Sequence, residues 1–149
     1  MELEARGRIA PPLDAFLTYT YNDATFREGV YGGIDVAGNR VPLVPRWQVS
    51  TGAAWRIGPA TLLAGSFVYL DEQYLNNDFA NALPQRIPSY GVLDLKLTHQ
   101  IRDWTLGLEL KNLLDRSYYT YGGVDSLGTV KVFPAPERAW FASAEYRFR

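Results

Sequence analysis

The side chains that could do chemistry in this sequence are few and scattered. A single histidine, His99, stands without a second imidazole, and there is no cysteine. That removes thiolate nucleophiles, thiolate metal sites and disulfides together. His99 falls at the end of an alternating segment and reads as an interfacial or turn residue rather than a base or ligand. Asp71, Glu72 and Asp78 gather carboxylates in one polar stretch, but without the ligand spacing of a calcium loop. They read as acids that solvate a loop. Gly32-Gly33 and Gly122-Gly123 are followed by no helix and read as turn glycines, not phosphate cradles. No catalytic, cofactor-binding or metal constellation emerges, and the expectation is a protein that is not an enzyme.

Charges are more informative through their spacing. Asp94 and Lys96, Glu109 and Lys111, and Glu145 and Arg147 are each two residues apart, which places both members on one side of a strand. Opposite charges on neighbouring strands pair across the ladder, contributing roughly 0.2–1 kcal/mol each. The formal net charge of −1 over 149 residues leaves no basic face for phosphates, so nucleic acid is not an expected partner.

The elements that hold these residues are strands. Leu3, Ala5, Gly7 and Ile9 alternate with Glu2, Glu4, Arg6 and Arg8, a period of two that a helix would not produce. The pattern returns around Ala15–Tyr21 (with Phe16 as its exception), Val49–Ile57, Leu93–Thr98, Trp104–Lys111 and Trp140–Phe148. Thr61 to Leu70 is apolar at both parities and hides its orientation. About seven strands result. No run approaches the ~20 apolar residues of a membrane helix.

Alternation alone does not say which face meets water, but the connections do. Short links (Ala10–Leu13, Gly58-Pro59, Ile101–Asp103) alternate with long ones (Arg27–Pro45, Leu75–Ile87, Asp115–Pro136). Outer-membrane barrels have this asymmetry, with tight periplasmic turns, long outer loops, lipid on the apolar face and a polar lumen. Pro45, Pro88 and Pro136 each stand just before a strand, where no ladder donor is needed. Their near-even spacing also suits a propeller blade, but a blade would pack four short strands where two longer ones fit here. With the long links outside, Tyr19, Tyr21, Trp47, Tyr69, Tyr74, Tyr90, Tyr118, Tyr119 and Trp140 fall near the outer rim. Trp55, Trp104, Tyr146 and Phe148 fall near the periplasmic rim. Two aromatic girdles around an aliphatic band are what Trp and Tyr favour at membrane interfaces.

The run Leu108-Glu109-Leu110-Lys111-Asn112-Leu113-Leu114-Asp115-Arg116-Ser117-Tyr118-Tyr119-Thr120-Tyr121-Gly122 resembles the penultimate strand and following loop of TonB-dependent receptors. Pro134 to Trp140, with Tyr146-Arg147-Phe148, resembles their last strand. Val41-Pro42-Leu43-Val44-Pro45-Arg46 and Pro88-Ser89-Tyr90 are similar to strand entrances of that family. The likeness runs over essentially the whole chain. It implies an all-β antiparallel meander of about seven transmembrane strands, part of an outer-membrane barrel of about 22 strands with a plugged lumen. Residues 1–149 would then be the C-terminal portion of the barrel, without the plug.

The resemblance also implies what such a protein does. The intact parent would take up a ferric siderophore or similar scarce ligand with energy from the TonB complex, which acts through the plug. This portion alone would be inactive. Ligand contacts would come from loop aromatics such as Tyr119 and Tyr121, and no cofactor is implied. Outer-membrane lipid and the barrel assembly machinery are the other expected partners. The terminal strand, through Trp140, Tyr146 and Phe148, resembles the signal that this machinery reads, although Phe148 is followed by Arg149. Met1 to Arg6 is charged and alternating, unlike a signal peptide, so export would depend on sequence outside this chain. The alternatives are a small complete outer-membrane barrel with a structural or adhesive role, and a soluble β-barrel binding protein.

Overall fold

The computed structural model describes residues 1–148. The chain opens with β1 (Glu2–Ala10) and β2 (Leu13–Tyr21), joined by a tight turn. A long link follows, carrying the small hairpin β3 (Val30–Tyr31) and β4 (Ile34–Asp35). Next come β5 (Trp47–Ile57) and β6 (Thr61–Leu70), then a second long link with β7 (Gln73–Tyr74) and β8 (Arg86–Ile87). The pair β9 (Tyr90–Ile101) and β10 (Trp104–Lys111) leads to a third link with β11 (Tyr119–Val124) and β12 (Val130–Pro134), and the described chain ends with β13 (Ala139–Tyr146). The seven long strands form one sheet in the order β1-β2-β5-β6-β9-β10-β13, every neighbour antiparallel.

Register assigns every side chain to a face. One rung runs across all seven strands as Gly7, Ala15, Ala53, Gly65, Leu95, Leu110 and Trp140. The next rung on the opposite face runs Arg8, Asp14, Ala54, Ala64, Lys96, Glu109 and Phe141. The first face is apolar and the second carries the charges. Pairing also settles β6, whose own sequence was silent: Leu63, Phe67 and Tyr69 join the apolar face, and Ser66 joins the polar one beside Asp94.

The sheet is a wall rather than a sandwich. β1 pairs only with β2 and β13 only with β10, so each leaves an edge open and the seven strands do not close on themselves. A small complete barrel would need those edges joined. Among the described residues the buried apolar side chains are Val36, Pro42, Leu75 and Ile87, and all four lie in the long links. A dry protein core on the apolar face, which a soluble β protein requires, is therefore not built. Leu97, Leu106 and Leu108 stand well exposed there instead.

The long links carry short strands of their own. Each folds back as a hairpin, and the three dock together. Two-residue strands such as β3 and β7 are too short to show alternation. β11 is hidden by Gly122-Gly123, which read as a turn but form part of a strand.

Candidate functional site

Two regions bring functional side chains together: the polar face of the wall and the cap of loops above its outer end. On the polar face, Lys111 Nζ lies 2.9 Å from Asp94 Oδ2 and 2.9 Å from Glu109 Oε1. Asp94 Oδ1 also accepts the backbone N–H of Asn112 at 2.8 Å. Toward the short-turn end, Asp14 is held between Arg8 at 3.1 Å and Arg56 at 2.8 Å. Between these groups runs a floor of small residues, Ala54, Ala64 and Ser66, lining an open trough of about 410 Å³ with Arg6, Lys96 and Glu109 on its flanks. Of the pairs expected across the ladder, Asp94–Lys111 forms between β9 and β10, whereas Glu109 meets Lys111 along its own strand; these half-open ion pairs serve mainly to fix side-chain direction.

At the outer end of β10 the run Asn112-Leu113-Leu114-Asp115 forms a compact clasp. Asn112 and Asp115 both adopt left-handed backbone, with φ of 49° and 52°, a region that Asn and Asp tolerate better than other side chains. Asn112 Oδ1 accepts the Arg116 N–H at 2.9 Å, while its Nδ2 donates to the Arg116 carbonyl at 2.9 Å. Asp115 accepts the Arg138 N–H at 3.1 Å and faces the Arg138 guanidinium at 3.4 Å. Leu113 N–H donates to Leu93 O at 2.7 Å. The motif therefore ties the departure of β10 to β9 on one side and to the approach of β13 on the other.

The cap is a second, miniature core. Leu75 and Ile87 are fully buried, and Gly122 lies flat against them: a β-carbon there would stand 2.7 Å from Leu75 Cδ2 and 3.0 Å from Ile87 Cγ1. The close approach explains the glycine where a turn does not. Asn76 pairs with Gly123 through a parallel bridge, and its Nδ2 donates to the Tyr121 hydroxyl at 2.6 Å. Asn81 joins the first link to the second by accepting Arg40 N–H at 2.6 Å and donating to Arg40 O at 3.1 Å. Tyr31 stacks near Phe79 with ring centroids 4.2 Å apart.

Several residues considered from sequence take structural places. Asp78 is buried and accepts the Ala82 N–H at 2.9 Å and the Leu83 N–H at 3.4 Å, so its carboxylate folds its own loop. His99 Nδ1 lies 2.7 Å from Thr61 Oγ1 across the ladder, on the apolar face near the short turns. Gly32 and Gly33 are turn glycines, with φ of 58° and 83° between β3 and β4. Tyr121 is committed to Asn76 and to Phe133, whose ring centroid is 5.4 Å away, whereas Tyr119 remains exposed on the edge of the cap.

The aromatic girdles are partly redrawn. Tyr19, Tyr21, Trp47, Tyr69 and Trp140 lie on the apolar face at the outer end, with Trp47 packed 5.7 Å and 4.6 Å from the Tyr19 and Tyr21 rings. Tyr90 is on the polar face opposite Leu70, stacked 4.3 Å from Tyr118, and Tyr74 and Tyr119 belong to the cap. At the other end Trp104, Tyr146 and Phe148 form a chain of rings, 5.0 Å and 4.8 Å between centroids.

Asp125 closes the outermost hairpin. It accepts the Thr129 N–H at 2.9 Å and the Leu127 N–H at 3.0 Å, and Lys131 Nζ lies 3.1 Å away. The Thr129 amide first, then the Lys131 ammonium, hold its carboxyl below the usual carboxylate range.

With this wall, its two unlike faces and its cap of long links in view, known proteins point the same way at the level of family and fold. Residues 1–113 match the family model for the TonB dependent receptor-like β-barrel. The chain belongs to that family. The TonB-dependent receptor family is one of outer-membrane receptors rather than enzymes. The ferrioxamine receptor of Yersinia enterocolitica is 29% identical over 125 residues, covering 79% of this chain and 17% of that receptor. Two crystal structures superpose closely: the ferric-catecholate import receptor Fiu of E. coli K12 in its closed form (TM-score 0.78, 21% identity, 99% of this chain and 20% of that one) and the ferric yersiniabactin uptake receptor FyuA of Yersinia pestis (TM-score 0.77, 24% identity, 99% and 23%). The chain spans about a fifth of the length of these relatives.

Proposed function

We propose that residues 1–149 are the C-terminal portion of the barrel of an outer-membrane receptor that takes up a ferric siderophore or similar scarce ligand with TonB-transduced energy. The observation that carries this reading is the division of faces along whole rungs, with Lys96 and Glu109 on one side of all seven strands and Leu95 and Leu110 on the other. Together with the family, that division supports a lumen wall. The names of the relatives support iron-chelate cargo. Seven open strands enclose no lumen, so this portion by itself carries nothing across a membrane, and the plug through which TonB acts lies elsewhere in the receptor.

Within the cap, exposed Tyr119 is the better placed of the two candidate ligand tyrosines, since Tyr121 already holds Asn76. On β13, Trp140 and Tyr146 face lipid, with Phe148 packed on Tyr146, a pattern suited to recognition by the barrel assembly machinery.

The test has two readouts. The receptor carrying this chain, expressed in a strain without its own siderophore uptake, should restore growth on a ferric siderophore as sole iron source, and a protonophore should abolish iron uptake. Growth that never responds to any of the hydroxamate, catecholate and citrate classes would overturn the cargo. Recovery of the chain, behind a signal peptide, as a soluble periplasmic monomer would overturn the membrane reading itself.

A further inference from the structure

The outermost hairpin, β11–β12, has one unpaired edge. Asp125 N–H donates to Thr129 O at 3.0 Å, and antiparallel bonding then alternates along the pair. Lys131 and Phe133, opposite Gly123 and Tyr121, turn their main-chain groups toward β11, while Val130 and Val132, opposite Val124 and Gly122, turn theirs away. The far side of β11 fixes the same phase, since Val124 N–H and Gly122 O are bonded there to Asn76, at 3.0 and 2.8 Å. Among the described residues β12 pairs only with β11, so the N–H and C=O groups of Val130 and Val132 form an open edge. Their side chains are exposed as well.

The rest of the cap shows how its links meet one another. The first reaches the second through Leu43 N–H to Tyr74 O at 3.0 Å and through Asn81 on the Arg40 main chain, and the second reaches the third through the Asn76 bonds. The series keeps the order of the wall: the link between β6 and β9, then β11 leaving β10, then β12 leading to β13. Apolar side chains inside the series, Leu75 and Ile87, are fully buried, whereas Val30 and Ile34 at one end and Val130 and Val132 at the other are exposed. Edges left to water are usually blunted by charge. The one charged residue of β12, Lys131, lies instead 3.1 Å from Asp125, within its own hairpin.

We propose that the outer edge of β12 is a seam, to which an extended segment from a further outer link of the same receptor adds as a third strand. The segment bonds the main chain of Val130 and Val132 and lays branched apolar side chains beside theirs. It is carried by the strand that pairs with the open edge of β13, because cap and wall advance in the same order. The seam rests on the reading of this chain as part of a larger barrel and deepens it. It does not depend on which ligand the receptor carries.

The test is amide hydrogen exchange, read residue by residue on the intact receptor in detergent without siderophore. Val130 and Val132 should exchange about tenfold or more slowly there than in the micelle-folded chain, where Lys131 and Phe133 alone of β12 are protected. Ala142 and Ala144 supply the control: the Arg147 N–H to Asp103 O bond sets the phase of β13 and turns their amides toward its open edge. Val132→Pro removes an outward donor without touching the β11 ladder, and should return Val130 to its rate in the isolated chain while Lys131 and Phe133 stay protected. Val132→Lys, which keeps that donor, should do the same by placing a charge in the seam. Slowed Ala142 and Ala144, with Val130 and Val132 as fast as in the isolated chain, would overturn the seam and leave the barrel standing. Unslowed exchange at all four would overturn both. Protection of Val130 and Val132 that rises with concentration in the chain alone would assign the edge to a second copy and overturn the proposal too.

Discussion

Replacing Gly122 by alanine tests whether the long links form one packed body. Gly122 has ordinary extended backbone, being absent from the residues with positive φ, so alanine brings no conformational strain and its effect is steric. The added methyl would sit 2.7 Å from Leu75 Cδ2 and 3.0 Å from Ile87 Cγ1, both on fully buried side chains that would have to shift. Overpacking of that kind costs about 1–3 kcal/mol. The cost falls on docking of the second link against the third, which is also carried by the hydrogen bonds Asn76 N–H to Gly122 O and Val124 N–H to Asn76 O, at 2.8 and 3.0 Å. Amide hydrogen exchange of Asn76 and Val124 in the micelle-folded chain reads it directly: local opening made easier by that amount speeds exchange by about fivefold to over a hundredfold.

A second substitution supplies the control. Leu75→Ala alone should destabilise by about 2–5 kcal/mol through the cavity it leaves. Combined with Gly122→Ala, it vacates the space that the new methyl needs, so the double variant should lose less than the two single losses added together. Unchanged protection in Gly122→Ala, or strict additivity in the double variant, would refute the packing argument.

Three further outcomes follow from the same geometry. Leu108→Arg places a charge midway along β10 on the apolar face proposed to meet lipid, beside Leu97 and Ala142, and should destabilise the membrane-inserted receptor by about 2–4 kcal/mol in denaturant titration, whereas Ser143→Arg on the charged face should cost much less. Asn112→Ala removes both side-chain hydrogen bonds to Arg116 and puts alanine at φ 49°; a loss of about 1–3 kcal/mol is expected by thermal unfolding, with faster exchange of the Arg116 amide. Acidification should open the outermost hairpin. Because Asp125 has its carboxyl pKa lowered in the fold, the stabilisation it gives is present above the ordinary carboxylate value and is lost as pH falls through the lowered one. Thr129 and Leu127 amide exchange, corrected for intrinsic rate, should rise in that acid range in the native chain and stay flat in Asp125→Asn.

The amino-acid sequence by itself determined the seven long strands, their connections and the existence of two unlike faces. A period of two marks six of the seven long strands between Leu3 and Tyr146, because a wall with unlike surroundings on its two faces writes that demand residue by residue. It left open whatever depends on neighbours. β6 is apolar at both parities, so only its pairing with β5 and β9 could orient it. Tyr90 reads as a rim aromatic until register turns it inward, and Gly122 reads as a turn until Leu75 and Ile87, distant in the chain, are seen against it. Local alternation is imposed by the surroundings on either side of the wall, whereas the cap arises from contacts between links that no short-range pattern encodes.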